Sequence, residues 1–369
     1  MKSCLIRADA SPRMGTGHVM RCLALAQAWQ HAEGRVAFVH AETTAALKQR
    51  LRDRGMEMVQ GSFTPGGAED AVQTIAQARA HGALWVVADG YHFCAAWQKQ
   101  IKNAGLYLLL MDDYGHAGHY YADYVLNQNL SVDSSFYECR EPGTKLLLGP
   151  RFALLRPEFL DWHDWQREIP AVARKVLVTL GGADPDNVTA KVIQAVAHLN
   201  DLEMETLVVI GGSNPHLDSL RSALRTLHPK LRLVVDATNM PELMAWADSA
   251  ISAGGTTSLE LAFMGLPSLV FVLADNQRDI AAKFHEIGTS RSLGWHADVP
   301  SDAIATELRH LLFDKPVRDR MSRCGRHLVD GLGAQLVVRL LAYSVGSKEI
   351  GSSIMAAMSD LDQYEHLNH

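Results

Sequence analysis

One histidine stands where a glycine-rich loop meets an amphipathic helix. In the stretch Arg7-Ala-Asp9-Ala-Ser11-Pro-Arg-Met-Gly15-Thr-Gly17-His18-Val-Met-Arg21, polar and glycine residues give way to apolar ones at Val19, Cys22, Leu23, Ala26 and Trp29. That spacing is helical. His18 therefore falls in the first turn, where free N–H groups and the helix dipole favour nearby anions and a neutral imidazole. Such an imidazole can take a proton from water or a hydroxyl. The blander alternative is a hydrogen bond from His18 to its own loop.

A second constellation lies far along the chain, in Ala253-Gly-Gly255-Thr256-Thr257-Ser258-Leu-Glu260. Two glycines allow close backbone approach, three hydroxyls follow, and the amides of a helix start can hold phosphate oxygens. Glu260, one turn in, can accept hydrogen bonds from both hydroxyls of a ribose. The structural alternative is a capped helix, with Thr256 or Thr257 as N-cap and Glu260 completing a capping box. Gly181-Gly182, followed by Asp184, Asn187 and Thr189, is another strand end that can face a diphosphate. Gly211-Gly212-Ser213-Asn214 reads equally as a plain turn. Asn239 suits an N-cap before Met240 and Pro241, where backbone groups can also read a base edge. Asn276 and Gln277 close a later strand within reach of sugar or phosphate. Asp112-Asp113 has the composition of a metal pair, but adjacent residues at a strand end usually point apart, which favours capping. The chain has neither a Gly-x-Gly-x-x-Gly fingerprint nor a Gly-x-x-x-x-Gly-Lys-Ser/Thr loop, so dinucleotide and P-loop sites are weakly supported.

The elements that must position these residues are short apolar runs separated by helical stretches. Met1–Ile6, Trp85–Asp89, Leu106–Met111 and Tyr124–Leu126 read as strands in the first half. Val176–Leu180, Leu207–Ile210, Leu231–Val235, Ala250–Ser252 and Ser268–Leu273 do so in the second. Continuous apolarity indicates parallel strands covered on both faces. Ligands in such sheets bind beyond the carboxyl ends of the strands. The pattern weakens between Arg151 and Arg174, the expected connection between two halves. The predicted fold class is α/β, with two α/β halves facing a cleft. Residues 1–160 form the catalytic domain, 171–344 the nucleotide domain, and 345–369 a tail with a short helix around Ile354 to Leu361.

With 369 residues, each half is long enough to bury its own core. A net charge of −6 argues against broad nucleic-acid binding. No apolar run approaches the ~20 residues that span a bilayer, and Arg7 and Asp9 interrupt any signal-peptide pattern. The five cysteines are scattered and odd in number, which reads as reduced, mostly buried thiols in a cytoplasmic protein, with no zinc site.

Taken together, Arg7-Ala-Asp-Ala-Ser, Gly15-Thr-Gly-His-Val-Met-Arg21, Asp112-Asp-Tyr, Leu126-Asn-Gln-Asn129, Leu180-Gly-Gly-Ala-Asp184 and Gly254-Gly-Thr-Thr-Ser-Leu-Glu260 resemble the UDP-sugar hydrolases of pseudaminic acid biosynthesis (PseG). The resemblance runs to about Ser344. The second half is also similar to the nucleotide-binding half of GT-B glycosyltransferases, including the lipid II-forming N-acetylglucosaminyltransferase. The resemblance implies two Rossmann-like domains facing a cleft, of GT-B type, with UDP on the second and a 2,4-diacetamido-2,4,6-trideoxy sugar turned toward the first. It further implies metal-independent, cofactor-free, inverting hydrolysis, with His18 as base. Tyr91 and Asn276 fall on polar site positions of that family. The expected substrate-binding set is Asp9, Gly15, Gly17, Arg21, Tyr91, Gly181, Gly182, Asn239, Met240, Gly255, Thr256, Thr257, Ser258, Glu260, Asn276 and Gln277.

Single-base chemistry suits the leaving group. UDP is a stable anion and needs no general acid, unlike the alcohols released by two-carboxylate glycosidases. Dipoles at the helix starts stabilise charge growing on the leaving oxygen. Two rival enzyme readings share this frame: a GT-B glycosyltransferase, with His18 activating an acceptor hydroxyl, and a hydrolysing UDP-sugar 2-epimerase. A non-catalytic nucleotide-sugar-binding module is the third.

Overall fold

The computed structural model describes residues 3–11, 16–130, 132–182, 184–212, 214–227 and 230–346. Gly15, Ser213 and the tail beyond 346 lie outside the described residues. The first half builds a seven-stranded sheet from β1 (Ser3–Ala8), β2 (Val36–His40), β3 (Glu57–Gln60), β4 (Ala83–Asp89), β5 (Tyr107–Met111), β6 (Tyr124–Asn127) and β7 (Lys145–Leu148). The second builds a six-stranded one from β8 (Lys175–Thr179), β9 (Glu205–Ile210), β10 (Leu231–Val235), β11 (Ser249–Ala253), β12 (Ser268–Val272) and β13 (Arg291–Trp295). The orders are β3-β2-β1-β4-β5-β6-β7 and β10-β9-β8-β11-β12-β13, and the pairs are parallel throughout. Each is a Rossmann order, with its switch point between β1 and β4 or between β8 and β11.

The apolar runs are continuous because each sheet is buried on both faces. Along β5, Leu109 and Met111 enter one core while Leu108 and Leu110 enter the other. Along β8, Val176 and Val178 face one layer and Leu177 the opposite one. This alternation within an unbroken apolar run is what a covered parallel sheet requires.

The connection differs from a simple linker. Phe152 and Leu154 point into the core of the first half, while Ala153, Leu155 and Phe159 point into that of the second. Beyond them Trp162 and Trp165 pack on the second half. The Arg167 guanidinium donates to the carbonyls of Met244, Ala247 and Met264 there. The expected boundary after residue 160 therefore has chain from 153 onward already serving the second core.

The last helix, Gly333–Gly346, also departs from the expected grouping with the second half. Its Ala334, Val337, Val338 and Leu341 complete the core of the first, against the helix Gly17–His31. The approach is close at its start: a Cβ on Gly333 would lie 2.4 Å from the Ala153 carbonyl oxygen. Sandwiched between sheet and last helix, Gly17–His31 buries nearly all of its length from Val19 to Trp29. Cys4 and Cys22 are buried, but Cys94 and Cys139 are exposed, so the thiols are less uniformly internal than expected. Among the described residues, no helix is long and apolar enough to cross a membrane.

Candidate functional site

The loops after the two switch points meet. His18 is the second residue of its helix, after β1. A Cβ on Gly17 would lie 3.9 Å from Thr256 Oγ1, across the cleft at the end of β11. The Thr16 hydroxyl lies 3.2 Å from a Cβ built on Gly182, at the end of β8. Gly182 in turn lies under Gly211, where any Cβ would come within 2.5 Å of the Gly182 carbonyl oxygen. Gln277 accepts from Leu273 N through Oε1, at 2.9 Å, and turns Nε2 toward Gly255. The structure thus brings Gly17, His18, Gly182, Gly255, Thr256 and Gln277 together.

The two helix starts in the second half differ in what they leave free. At the helix Val188–Ala197, the Asp184 carboxylate accepts from Val188 N and Thr189 N, both at 2.9 Å, and so occupies the amides an anion would use. The diphosphate reading of that helix start is corrected accordingly, while Gly181 and Gly182 keep their place at the cleft. At the helix Thr257–Phe263, the N-cap Thr256 makes no side-chain capping bond. The amides of Gly255, Thr256 and Thr257 have no acceptor among the described residues. The capping box is not formed either, because Glu260 reaches Arg156 instead, at 3.1 Å. Ser258 is buried and its hydroxyl donates to Ala253 O at 3.2 Å, so its side chain locks the strand end and is not open to a ligand.

Glu260 sits in a group of opposite charges that the sequence alone does not bring together. Arg156 pairs with both Glu158, at 3.0 Å, and Glu260. Burial pushes the Glu260 carboxyl up, against the pull of Arg156. Arg50 is pushed down, first by burial and then by Arg156.

On the first half, Arg21 is buried and spends its guanidinium on two carboxylates: Asp89, with two bonds of 2.7 Å, and Asp113, at 2.8 and 3.2 Å. Asp9 is fully buried too. It pairs with Arg7 at 2.7 Å and accepts from Ala41 N and Glu42 N. Neither side chain is open to a substrate as expected; both hold the frame around it. Met240 is likewise buried in the second core, and Asn239 is exposed without a side-chain capping bond. Both follow β10, at the edge of the sheet and away from its switch point.

Tyr91 joins the halves. Its hydroxyl donates to Asp113 Oδ2 at 2.8 Å and accepts from Asn276 Nδ2 at 3.1 Å. Asp113 also accepts from Asn129 at 3.0 Å. Burial alone would raise the Asp113 carboxyl, but the charge and hydrogen bonds of Arg21 hold it well below the usual range. The phenol of Tyr91 is raised, by burial first and Asp113 second. His18 packs edge-on against the Tyr91 ring, centroids 4.9 Å apart. Its Nδ1 is buried and has no partner among the described residues, which do not include residues 12–15 of its own loop. Among the described residues, no group of three or more His, Cys, Asp or Glu is arranged to hold a metal ion.

Two facing Rossmann-like domains with a site at both switch points define a GT-B fold. Residues 176–330 match the glycosyltransferase family 28 C-terminal domain. The chain is 29% identical over 223 residues to the spore coat polysaccharide biosynthesis protein SpsG of Bacillus subtilis, a match covering 60% of this chain and 65% of that protein. It thus spans just under two thirds of that relative's length. It is also similar in structure to Acinetobacter baumannii MurG, with a TM-score of 0.63 and 15% identity over 93% of this chain and 99% of that one. The S. aureus MnaA–UDP structure gives 0.65 and 13% over 94% and 97%. These structural likenesses establish the fold.

Proposed function

We propose that this chain is a nucleotide-sugar enzyme of polysaccharide biosynthesis that transfers a glycosyl group from a UDP-sugar to an acceptor hydroxyl, with His18 as the base. The observation that carries this is the approach of Gly17 to Thr256, where an added Cβ would lie 3.9 Å from the hydroxyl: it sets a histidine-bearing helix start opposite an uncapped one. The match of the second half to a glycosyltransferase domain supports transfer, and the name of the SpsG relative supports the polysaccharide setting. Gly181, Gly182, Gly255, Thr256, Thr257 and Gln277 hold the diphosphate, and Glu260 the ribose. Tyr91 and Asn276 close over the sugar. In the reaction, His18 takes the acceptor O–H proton and the oxygen bonds to C1. The C1–O bond to UDP breaks from the opposite face and its electron pair leaves with UDP, so configuration inverts.

Hydrolysis of a UDP-linked diacetamido trideoxy sugar is the second reading, favoured by the motif resemblance that runs from Arg7 to about Ser344. Water then takes the place of the acceptor. Turnover of a panel of UDP-acetamido sugars in ¹⁸O-labelled water, with EDTA, separates the two. Transfer predicts no UDP release until an acceptor is added. Hydrolysis predicts label on C1 of a free sugar whose first-formed anomer is inverted. Label in UDP would mean attack at phosphorus and would overturn both.

Glu260→Ala is expected to weaken UDP binding by about 1.5–3 kcal/mol, the range for hydrogen bonds to a charged group. Calorimetry on the folded variant checks this. Unchanged UDP affinity would leave Glu260 only the anchoring of Arg156.

A further inference from the structure

Asp112 and Asp113 are neighbours in sequence but serve different groups. Asp113 faces Arg21, Tyr91 and Asn129. Asp112 accepts from Tyr114 N and Gly115 N, both at 2.7 Å, and from the Tyr120 hydroxyl at 2.6 Å. Its Oδ2 also lies 2.9 Å from Nδ1 of His116, whose side chain is only 6% exposed. Burial would raise the Asp112 carboxyl, but His116, Tyr120 and Gly115 hold it below the usual range. The Asp112 carboxylate stands beside Nδ1, so Nε2 is the ring nitrogen left to meet another partner. Both ring nitrogens are buried and neither makes a hydrogen bond among the described residues, so Nδ1 and Asp112 stand within ion-pair distance only.

The place of His116 says what it would meet. Its ring centroid is 5.7 Å from both Tyr91 and Tyr114, which are 5.0 Å from each other. Tyr91 is bonded to Asn276, the neighbour of the Gln277 that faces Gly255. Tyr91 is thus beside the proposed diphosphate loop, and Tyr114 and His116 both pack on its ring. Tyr114 remains 48% exposed. Aromatic walls with a single well-placed polar group are the usual make-up of a small-ligand subsite.

We infer that Tyr91, Tyr114 and His116 form the subsite of the transferred pyranose. Its C–H face lies on Tyr114, and His116 Nε2 hydrogen-bonds a hydroxyl or amide on the ring edge remote from the diphosphate. This rests on the nucleotide-sugar reading above and deepens it: a buried polar atom left unpaired rejects a sugar that lacks the matching partner. His116 is then a specificity-determining residue, and Asp112 positions it.

Saturation-transfer NMR and calorimetry on the full chain, with UDP and UDP-N-acetylglucosamine as probes, test this. Tyr114→Ala removes an exposed ring and leaves the core intact. His116→Asn keeps a polar group toward Asp112 and removes Nε2. Both variants should bind UDP as the wild type does. Pyranose saturation relative to uridine should fall about threefold or more, and the Kd for UDP-N-acetylglucosamine should rise about fivefold, a modest share of the penalty for an unpaired buried group. Unchanged pyranose saturation and Kd in Tyr114→Ala would overturn the subsite. So would a wild type whose bound uridine is saturated while its pyranose is not. A wild type that binds no UDP would instead overturn the nucleotide reading beneath it.

Discussion

His18→Ala should lower kcat by about 10²–10⁴-fold, the usual contribution of a positioned base, while UDP affinity stays within about twofold. The two halves of that expectation come from different sheets. His18 belongs to the helix after β1, and its Nδ1 finds no partner among the described residues. The free amides proposed for the diphosphate belong to the loop after β11. Removing the imidazole therefore takes away proton transfer and leaves the nucleotide contacts in place. His18→Asn tests whether polarity alone suffices, since an amide keeps hydrogen bonding but cannot take the proton. Steady-state kinetics beside UDP calorimetry is the measurement. A purified His18→Ala variant that keeps a third or more of wild-type kcat would remove His18 from the base role.

Where the strands are buried on both faces, the chain announces them. Val86 to Ala88 and Leu108 to Met111 are unbroken apolar runs because neither face meets water. Three of the four unexpected strands, β3, β7 and β13, lie at sheet edges. Their residues are largely half-exposed, as in Glu57-Met-Val-Gln60, so they carry no such run. The fourth, β2, is buried throughout, and its five residues end on the polar His40. The cleft loops were legible for a related reason: glycine and hydroxyl residues after an apolar run mark a strand's carboxyl end. What the sequence hides is partnership across distance. Glu260 meets Arg156, 104 positions earlier, and Arg21 meets Asp89 and Asp113, 68 and 92 positions later. Without those partners, Glu260 reads as a ribose ligand or as half of a capping box, and Arg21 as a substrate contact. The return of Gly333–Gly346 to the first half is hidden in the same way, since an apolar helical face does not say which core it completes.

Arg21 carries the largest expected effect on stability. Arg21→Met should destabilise the first half by about 3–5 kcal/mol at neutral pH, the range for removing one partner of a buried ion pair. The guanidinium is 5% exposed and bridges Asp89, which is fully buried, to Asp113, which is 10% exposed. Methionine fills similar space but leaves two carboxylates without a counter-charge. Arg21→Lys should recover only part of the loss, because a single ammonium cannot fork to two carboxylates. The deficit should also depend on pH. In the wild type the Asp113 carboxyl is held low by Arg21, so its stabilising share persists above the unfolded carboxylate range and is lost only as pH falls through the depressed value. In Arg21→Met burial, which raises the folded value, is opposed only by His18 and by the Tyr91 and Asn129 hydrogen bonds, and is expected to lift it above the unfolded one. The penalty is then full at high pH and shrinks as acid protonates the group. Urea unfolding of wild type and variant at pH 7.5 and 5.5 reads both parts, with hydrogen exchange in β4 and β5 assigning the loss to the first half. A deficit below 1 kcal/mol, or one equal at the two pH values, would show that the Asp89–Arg21–Asp113 bridge does not hold Tyr91 and Asn129 in place through its charge.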